Sequence, residues 1–431
     1  MPERSTIVGV ATGTPDGGVA IVRVSGPRAQ EVARILGVSV AAPRRLVRCG
    51  LKIAGGIEDA LAVSMPGPAS YTGEDVVEFH VHAGARNVEA VLAACVAVGC
   101  EPAQAGAFTR RAFEHGLLSL EQAEGIAALV GAQTEAGLDQ ARRLIAGELG
   151  REVDALLERL LDIRAELEAR LDFPEDVDDG DVARWREEIE DVEVTLRGWL
   201  SRYDAGARAR VRPRVVLAGP PNAGKSSLFN ALLGYARAIV TAIPGTTRDY
   251  VEAELDVGGS SCVLVDTAGI REVGDAIERA GIERSQEQIE GADIVLWMEA
   301  SDAEEIERPT LGAIAIECIE TKRDLGTRRP SWRGVSCAEE GSVAALRAWL
   351  QASRLRDASS GWIGLARHRE SCERAVEELE AAVRSLDTLE LAAFHVEVAR
   401  TRLGEIRGRT GLGPVGDAVM RRVFERFCIG K

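Results

Sequence analysis

A glycine-rich segment at residues 219–226 constrains the fold of this chain more than any other feature of its sequence. It reads Gly219-Pro-Pro-Asn-Ala-Gly-Lys-Ser226, follows the apolar run VVLAG and precedes the run SSLFNALLG. The pattern GxxxxGK[ST] between a strand and a helix predicts a phosphate-binding loop, in which backbone amides and the helix N-terminus surround phosphate oxygens. We expect Lys225 to reach the outer phosphates and Ser226 to bind Mg²⁺.

Segments further along the chain favour guanine as the base. Asp324, in TKRD at 321–324, follows the run AIAIECIE. Its carboxylate can accept hydrogen bonds from guanine N1–H and the 2-amino group, which adenine cannot offer. SCA at 336–338 fits the next nucleotide-binding loop along the chain. DTAG at 266–269 begins with the last residue of the run SCVLVD, and the carboxylate at this position can hold the magnesium shell. Together these segments indicate a GTPase, and TAIPGTTRD at 241–249 is a candidate for a switch loop that covers the nucleotide.

The composition excludes several other classes of protein. The uncharged apolar stretches stop short of the roughly 18 residues that a membrane-spanning helix needs, and the N-terminus lacks the basic start and apolar block of a secretion signal. The eight cysteines form no CxxC pair, which predicts reduced thiols in a cytoplasm; we expect all except Cys428 to pack as small apolar residues. The net charge of -16 argues against a protein whose whole surface binds nucleic acid, although it is compatible with a local basic patch.

Changes in apolar pattern along the 431 residues predict three domains. Residues 1–117 alternate strand-like runs with two helical stretches, which indicates an α+β domain. Residues 118–207 and 353–431 are helical, with a helix-packing stripe between Val153 and Leu167, whereas residues 208–352 alternate strands and helices. We therefore expect a multidomain α/β plus α protein in which the G domain is inserted into a discontinuous helical domain.

Four parts of the sequence resemble the MnmE (TrmE) family of tRNA-modifying GTPases. Three of them are Asn222 in the phosphate-binding loop, PGTTRD at 244–249 and DTAGIRE at 266–272. The fourth and most specific is FCIGK at 427–431. The N-terminal runs GGVAIVRVSG and SYTGEDVVEFHVHAG are also similar to that family, so the resemblance covers the whole chain.

The resemblance implies a potassium-dependent GTPase. Asn222, the backbone of Thr241 and Ile243, and Thr246 would bind K⁺, which can neutralise charge that develops on the phosphates.

The same resemblance assigns the magnesium ligands and a catalytic carboxylate. Ser226 and Thr247 would bind Mg²⁺, and Glu278 matches the position that orients the attacking water. The residues expected to contact the nucleotide or its ions are Asn222, Ala223, Gly224, Lys225, Ser226, Ser227, Thr241, Ala242, Ile243, Pro244, Gly245, Thr246, Thr247, Asp266, Thr267, Ala268, Gly269, Thr321, Lys322, Asp324, Ser336, Cys337 and Ala338.

The resemblance also implies a second site, for a tetrahydrofolate one-carbon derivative, in the N-terminal domain that would mediate homodimerisation. Arg23, Glu78 and Lys431 match folate-contacting positions. Cys428 matches a catalytic thiol near the folate, and neighbouring arginines would lower its pKa.

The family's reaction requires partners. With an FAD-dependent partner similar to MnmG (GidA), the chain would install an aminomethyl or carboxymethylaminomethyl group at C5 of the wobble uridine of certain tRNAs. Residues 399–431 carry eight basic side chains against three acidic ones, which favours this segment as an RNA-binding face.

Two positions depart from the family pattern. Leu117 stands where many members carry a lysine. The folate contact at this position would be either absent or made by a nearby arginine. Thr321 stands where asparagine is commoner, and we expect its hydroxyl to brace the loop while Asp324 supplies base specificity.

Two alternative functions remain open at this point. The chain could be a ribosome-assembly or signalling switch with no chemistry of its own. It could also be a folate-dependent transferase whose G domain is only regulatory. The first alternative gives no role to the C-terminal CIGK. It also predicts a dedicated RNA-binding domain, and we expect that GLGPVGD at 411–417 is not the GxxG loop that such a domain would use.

Overall fold

The computed structural model groups the chain into two compact units. One consists of Met1–Gly131, Gln140–Ser201 and Leu365–Lys431, and the other of Ala132–Asp139 and Arg202–Gly364. The residues that the structure describes are 5–12, 17–39, 42–171, 179–208, 212–234, 251–257, 260–267, 289, 291–303, 315–353, 363–410, 413–414, 420, 423–425 and 427. The expected α+β region and most of the expected helical region belong to the first unit, and all of the expected G domain belongs to the second. The division into three domains remains a prediction.

The N-terminal part of the first unit is a six-stranded sheet covered by helices. Its elements are β1 (Ile7–Val10), β2 (Val19–Ser25), α1 (Ala29–Ile35), β3 (Val47–Ile53), β4 (Gly56–Met65), β5 (Val76–His82), α2 (Ala85–Ala97), β6 (Glu101–Pro102) and α3 (Ala107–Glu114). The strand order is β3-β4-β5-β2-β1-β6, and every pair is antiparallel except β1 with β6.

Alternation along the central strands separates an apolar face from a polar one. Val22 and Val24 of β2 and Phe79 of β5 are buried in one core with residues of α1 and α2. Because side chains alternate across a strand, Arg23 and Glu78 lie on the opposite face, where they are cross-strand partners.

The rest of the first unit is helical, as the sequence predicts. The helices of the two helical stretches are α4 (Leu120–Gly131), α5 (Glu135–Ile145, which belongs to this unit only from Gln140 on), α6 (Glu148–Leu171), α7 (Asp179–Leu200), α11 (Ala366–Arg384) and α12 (Leu389–Gly404), and short strands β13 (Arg409–Thr410) and β14 (Gly413–Pro414) follow. The predicted stripe on α6 is confirmed, because Val153, Leu156, Leu160, Ile163 and Leu167 are all buried. Helix α12 packs between α6 and α11. Helix α6 ends at Leu171.

The second unit is a doubly wound α/β layer. Its elements are α8 (Tyr203–Arg208), β7 (Arg214–Ala218), α9 (Lys225–Gly234), β8 (Val251–Val257), β9 (Ser260–Asp266), β10 (Ile294–Ala300), β11 (Ala315–Thr321), β12 (Arg333–Val335) and α10 (Glu340–Ala352). The strand order is β12-β11-β10-β7-β9-β8, parallel throughout except β8 with β9.

The order of these strands places a ligand site. Strand β7 lies between β9 and β10, so the chain winds to one side of β7 and then to the other. Ligands of open parallel sheets bind outside the carboxyl ends of the strands at such a switch point. The segments at 219–226, 266–269, 321–324 and 336–338 all follow carboxyl ends of strands in this sheet. Within the described ranges, no helix is long and apolar enough to cross a membrane.

Candidate functional site

The turn between β7 and α9 has the backbone that a phosphate-binding loop needs. Gly219 has φ 143°, and a Cβ there would clash with the carbonyl oxygen of Met298 on β10. Asn222 has φ 63°, a left-handed conformation that asparagine tolerates better than most residues. The amide of Ala223 donates to the carbonyl of Pro220 at 3.3 Å, which closes the turn. Helix α9 begins at Lys225, so its N-terminal amides open directly into this turn.

Lys225 points its ammonium into the turn. Its side chain is buried, and Nζ donates to the carbonyl oxygens of Gly219 at 2.7 Å and Pro220 at 2.8 Å. Burial lowers the pKa of Lys225, and the carboxylate of Asp266 opposes that shift. Ser226 and Ser227 follow with exposed side chains on the first turn of α9. A lysine ammonium beside the N-terminus of a helix is an arrangement suited to a polyphosphate.

Asp266 and Thr267 lie beside the start of this turn. Asp266 ends β9 in register with Leu217 of β7, and it is buried. The hydroxyl of Thr267 donates to the carbonyl of Leu217 at 2.7 Å. The structure therefore brings this carboxylate close to Lys225 of the phosphate-binding loop.

The segment 321–324 is tied both to the phosphate-binding loop and to the segment 336–338. The Thr321 hydroxyl donates to the carbonyl of Ala223 at 2.7 Å, which is the bracing contact expected of a residue that replaces asparagine. Asp324 accepts a hydrogen bond from the hydroxyl of buried Ser336 at 2.7 Å, and that hydroxyl also accepts from the amide of Ala338 at 3.2 Å. Cys337 lies between them and is exposed, so the expectation that it packs as an apolar residue is wrong.

Two residues directly after β10 support the segment 321–324, and they were not predicted from the sequence. Ser301 donates from its hydroxyl to the carbonyl of Lys322 at 2.7 Å, and Asp302 accepts from the ammonium of Lys322 at 3.1 Å. Both residues directly follow the apolar run IVLWMEA. That position could have identified them, because the end of this strand lies next to the nucleotide-binding segments.

Several predicted site residues lie outside the described residues. They are Thr241, Ala242, Ile243, Pro244, Gly245, Thr246, Thr247, Ala268, Gly269, Glu278, Cys428 and Lys431. Their roles stay predictions.

A second polar site lies on the polar face of the N-terminal sheet. Nε of Arg23 donates to Oε1 of Glu78 at 2.8 Å, and both side chains are mostly buried. The Arg23 guanidinium lies 5.2 Å from the centre of the Tyr71 ring and 5.4 Å from that of Phe108. Nε2 of His80 lies 3.7 Å from the second oxygen of Glu78. A held guanidinium flanked by aromatic rings suits a planar anionic ligand.

The C-terminal segment packs against the same unit through aromatic residues. Phe424 and Phe427 share a buried cluster with Leu120 of α4, and the Phe424 ring lies 6.4 Å from that of Phe113 on α3. A Cβ on Gly106, just before α3, would lie 2.8 Å from the Phe424 carbonyl oxygen. These contacts anchor the residue that precedes Cys428.

Three arginines of 399–431, Arg400, Arg402 and Arg407, are paired with carboxylates. Arg407 is mostly buried and pairs with Glu121 at 2.8 Å and Asp154 at 3.0 Å. Arg400 pairs with Glu397 and Arg402 with Glu405. The expectation that Arg407 belongs to an RNA-binding surface is wrong, because its charge is satisfied inside the helical region.

Comparisons with known proteins cover the whole length of the chain. Residues 6–117 match a family model described as the GTP-binding protein TrmE N-terminus, and residues 120–428 match one described as the MnmE helical domain. The "tRNA modification GTPase MnmE" of Phenylobacterium zucineum is 40% identical, with 99% of each chain covered. The protein of that name from Halorhodospira halophila is also 40% identical, over 100% of this chain and 96% of its own.

Proposed function

Since the chain belongs to the MnmE family of tRNA modification GTPases, we propose that it hydrolyses GTP at the 219–226 loop in the course of tRNA modification in the cytoplasm. One observation supports this proposal above the others. Thr321 joins the phosphate-binding loop to the segment that carries Asp324 through a 2.7 Å hydrogen bond, so phosphate and base sites form one continuous structure.

The phosphate site would work by orientation and charge. Amides at the N-terminus of α9 and the ammonium of Lys225 would hold the phosphate oxygens and stabilise the charge that builds up on them during hydrolysis. The exposed hydroxyl of Ser226 and the buried carboxylate of Asp266 are oxygen donors of the kind that Mg²⁺ prefers. With Thr247 they would hold Mg²⁺, which neutralises phosphate charge when bound.

A potassium ion is the further cofactor that we propose for hydrolysis. Asn222 is exposed on the rim of the loop, where its side-chain oxygen could contribute to a site completed by Thr241, Ile243 and Thr246. We propose that Glu278 orients the attacking water.

For the carbon chemistry, we propose that a tetrahydrofolate one-carbon derivative binds at the polar face of the N-terminal sheet. Arg23, held by Glu78 and flanked by two aromatic rings, offers a cation and stacking surfaces to a planar anionic cofactor. Helix α3 contacts both ends of this proposed site, since Phe108 faces Arg23 and Phe113 faces Phe424. Cys428 and Lys431 would act there, in a homodimer that works with an FAD-dependent partner on C5 of the wobble uridine.

Replacing Cys428 with Ser tests the separation of the two sites. GTP turnover by the purified protein should be faster in K⁺ than in Na⁺, and the variant should keep this behaviour because Cys428 belongs to none of the nucleotide segments. Mass spectrometry of tRNA from cells that carry the variant should show loss of the modified wobble uridine. Lys225→Ala is the matched control, and it should abolish turnover as well as modification. Normal modification in Cys428→Ser cells would contradict the role of the thiol.

A further inference from the structure

Three charged side chains are buried together beside the proposed guanine loop. Glu299 near the end of β10 and Glu320 near the end of β11 are fully buried, and the parallel register makes them neighbours. Arg329, also buried, lies with its guanidinium 2.7 Å from a Glu299 carboxylate oxygen and 3.9 Å from one of Glu320. We call these three residues the 299–320–329 cluster.

Glu320 fixes both ends of the loop that carries Asp324. In sequence, Glu320 directly precedes the segment 321–324. Its Oε1 accepts hydrogen bonds from the backbone amides of Arg328 and Arg329, both at 2.8 Å, and these residues close the same loop. One carboxylate oxygen therefore sets the distance between the start and the end of the loop. Hydrogen bonds from amides to a carboxylate are stronger than neutral ones, which suits a fixed loop.

The other two residues hold that carboxylate in place. Glu299 accepts from the indole Nε1 of Trp297 at 3.0 Å, so its position is fixed by its own strand. The Arg329 guanidinium also lies 5.1 Å from the ring centre of Trp332. Two carboxylates and one guanidinium in a dry interior are expensive to bury, and such groups are a weak source of stability compared with apolar packing. A positional role explains their placement better than a stabilising one.

We propose that Glu320, supported by Arg329 and Glu299, is a positioning residue that sets the selectivity for guanine by holding the loop of Asp324. This inference rests on the proposed GTP-binding function. Asp324 must present its carboxylate to two guanine groups at once, N1–H and the 2-amino group. Ser336 fixes one oxygen of Asp324 at 2.7 Å, and the loop closure by Glu320 fixes the backbone on which Asp324 stands.

Glu320→Gln tests the proposal because it preserves the shape of the side chain but removes the negative charge that strengthens the two amide hydrogen bonds and faces Arg329. The affinity for fluorescent GDP, and for unlabelled GDP, IDP and ADP in competition, is measured for the full chain. IDP keeps N1–H but lacks the 2-amino group, so it depends on Asp324 through one hydrogen bond fewer than GDP does. We expect the Kd for GDP to rise about tenfold and that for IDP about threefold, since a displaced Asp324 costs GDP more. The KM for GTP should rise with the Kd, whereas kcat should change less than about threefold.

Glu317→Gln is the matched control on the same strand. Glu317 accepts from Nε of Arg333 on β12 at 2.8 Å and does not belong to the loop closure. This variant should keep the wild-type ratio of the IDP and GDP dissociation constants. Glu320→Leu removes both acceptor oxygens and should lower the ratio further than Glu320→Gln; if it does not fold, the glutamine variant still decides the matter.

The outcomes separate the inference from the proposed function. A Glu320→Gln protein that keeps the wild-type ratio of IDP to GDP dissociation constants would overturn the positioning role. An equal loss for both nucleotides would also overturn it, because general damage to the fold does not distinguish a 2-amino group. A wild-type protein that binds GDP no better than ADP would contradict the proposed guanine-nucleotide function itself.

Discussion

Each of the two units buries a cluster of carboxylates and arginines. The two clusters differ in how many positions separate the partners along the sequence. In the first unit, Arg367 pairs with Glu124 across 243 positions and Arg407 with Glu121 across 286. In the second unit, Arg329 and Glu320 are only 9 positions apart. We call Glu121, Glu124, Arg367, His368 and Arg407 the helical cluster. Long-range pairs hold separate segments together, whereas local ones shape a loop.

In the helical cluster, Arg367 donates more hydrogen bonds than the Arg329 side chain does in the 299–320–329 cluster. Arg367 donates to both oxygens of Glu124, at 2.8 and 2.6 Å, and to the carbonyls of Glu405 and Ile406 at 2.6 and 3.1 Å. Nε2 of fully buried His368 lies 2.8 Å from the same carboxylate. Burial by itself would raise the pKa of Glu124, but Arg367 and His368 more than offset it and hold the pKa at about 2. This cluster connects α4 with helical segments that follow the G domain in sequence, so we expect it to govern stability, whereas the 299–320–329 cluster governs selectivity.

The largest effect is expected from Arg367→Met. The substitution leaves the Glu124 carboxylate buried without its main partner, and it should reduce the free energy of unfolding by about 3–5 kcal/mol. Urea denaturation followed by far-UV circular dichroism measures the change. Arg369→Met on the same helix is the control, because the half-exposed pair that Arg369 forms with Glu373 is worth about 1 kcal/mol or less. Similar losses in the two variants would remove the contrast between the helical cluster and an ordinary surface ion pair.

A slightly smaller effect is expected from the titration of Glu124. Its pKa falls from 4.5 to about 2 on folding, so its contribution to stability is fully present above pH 4.5 and is lost as pH falls towards 2. The loss amounts to about 3 kcal/mol. Glu124→Gln should be less stable than wild type at pH 7 and should show a shallower decline over this acidic range in urea denaturation. Glu89→Gln, which alters an exposed side chain, should keep the wild-type slope. Parallel slopes for wild type and Glu124→Gln would show that other groups dominate the acid response.

The sequence predicted well what depends on backbone conformation and spacing. The phosphate-binding loop needs glycine and asparagine at fixed positions between a strand and a helix, and that pattern is visible within one short segment. The α6 stripe was equally visible, because burial on a helix repeats every three or four residues. Thr321 could be expected to brace the loop, since a hydroxyl can replace an amide as a donor.

What the sequence could not predict are charges that turn inward. Glu121 and Glu124 fall on a helix where acidic residues ordinarily face water, and their partners lie more than two hundred positions away. Arg407 was assigned to a basic surface for the same reason, because its spacing does not show the carboxylates that neutralise it. Glu299 and Glu320 each stand near the end of an apolar strand, where a glutamate reads as the start of a loop. In all these cases the partner is defined by the tertiary fold.

The smallest effect tests whether a neutral contact behaves differently from the charged loop closure. Thr321→Val removes the hydroxyl that donates to the Ala223 carbonyl at 2.7 Å, and a net cost of about 1 kcal/mol should raise the Kd for GDP about fivefold. Because this hydroxyl contacts the phosphate-binding loop and neither oxygen of Asp324, the Kd for IDP should rise by the same factor. Thr321→Ser keeps the donor and should remain close to wild type. The pattern is the opposite of that expected for Glu320→Gln, in which GDP loses more than IDP. The contrary outcome would be that Thr321→Val raises the Kd for GDP by a larger factor than the Kd for IDP. In that case the contact with Ala223 also positions Asp324, and the 299–320–329 cluster does not determine base selectivity alone.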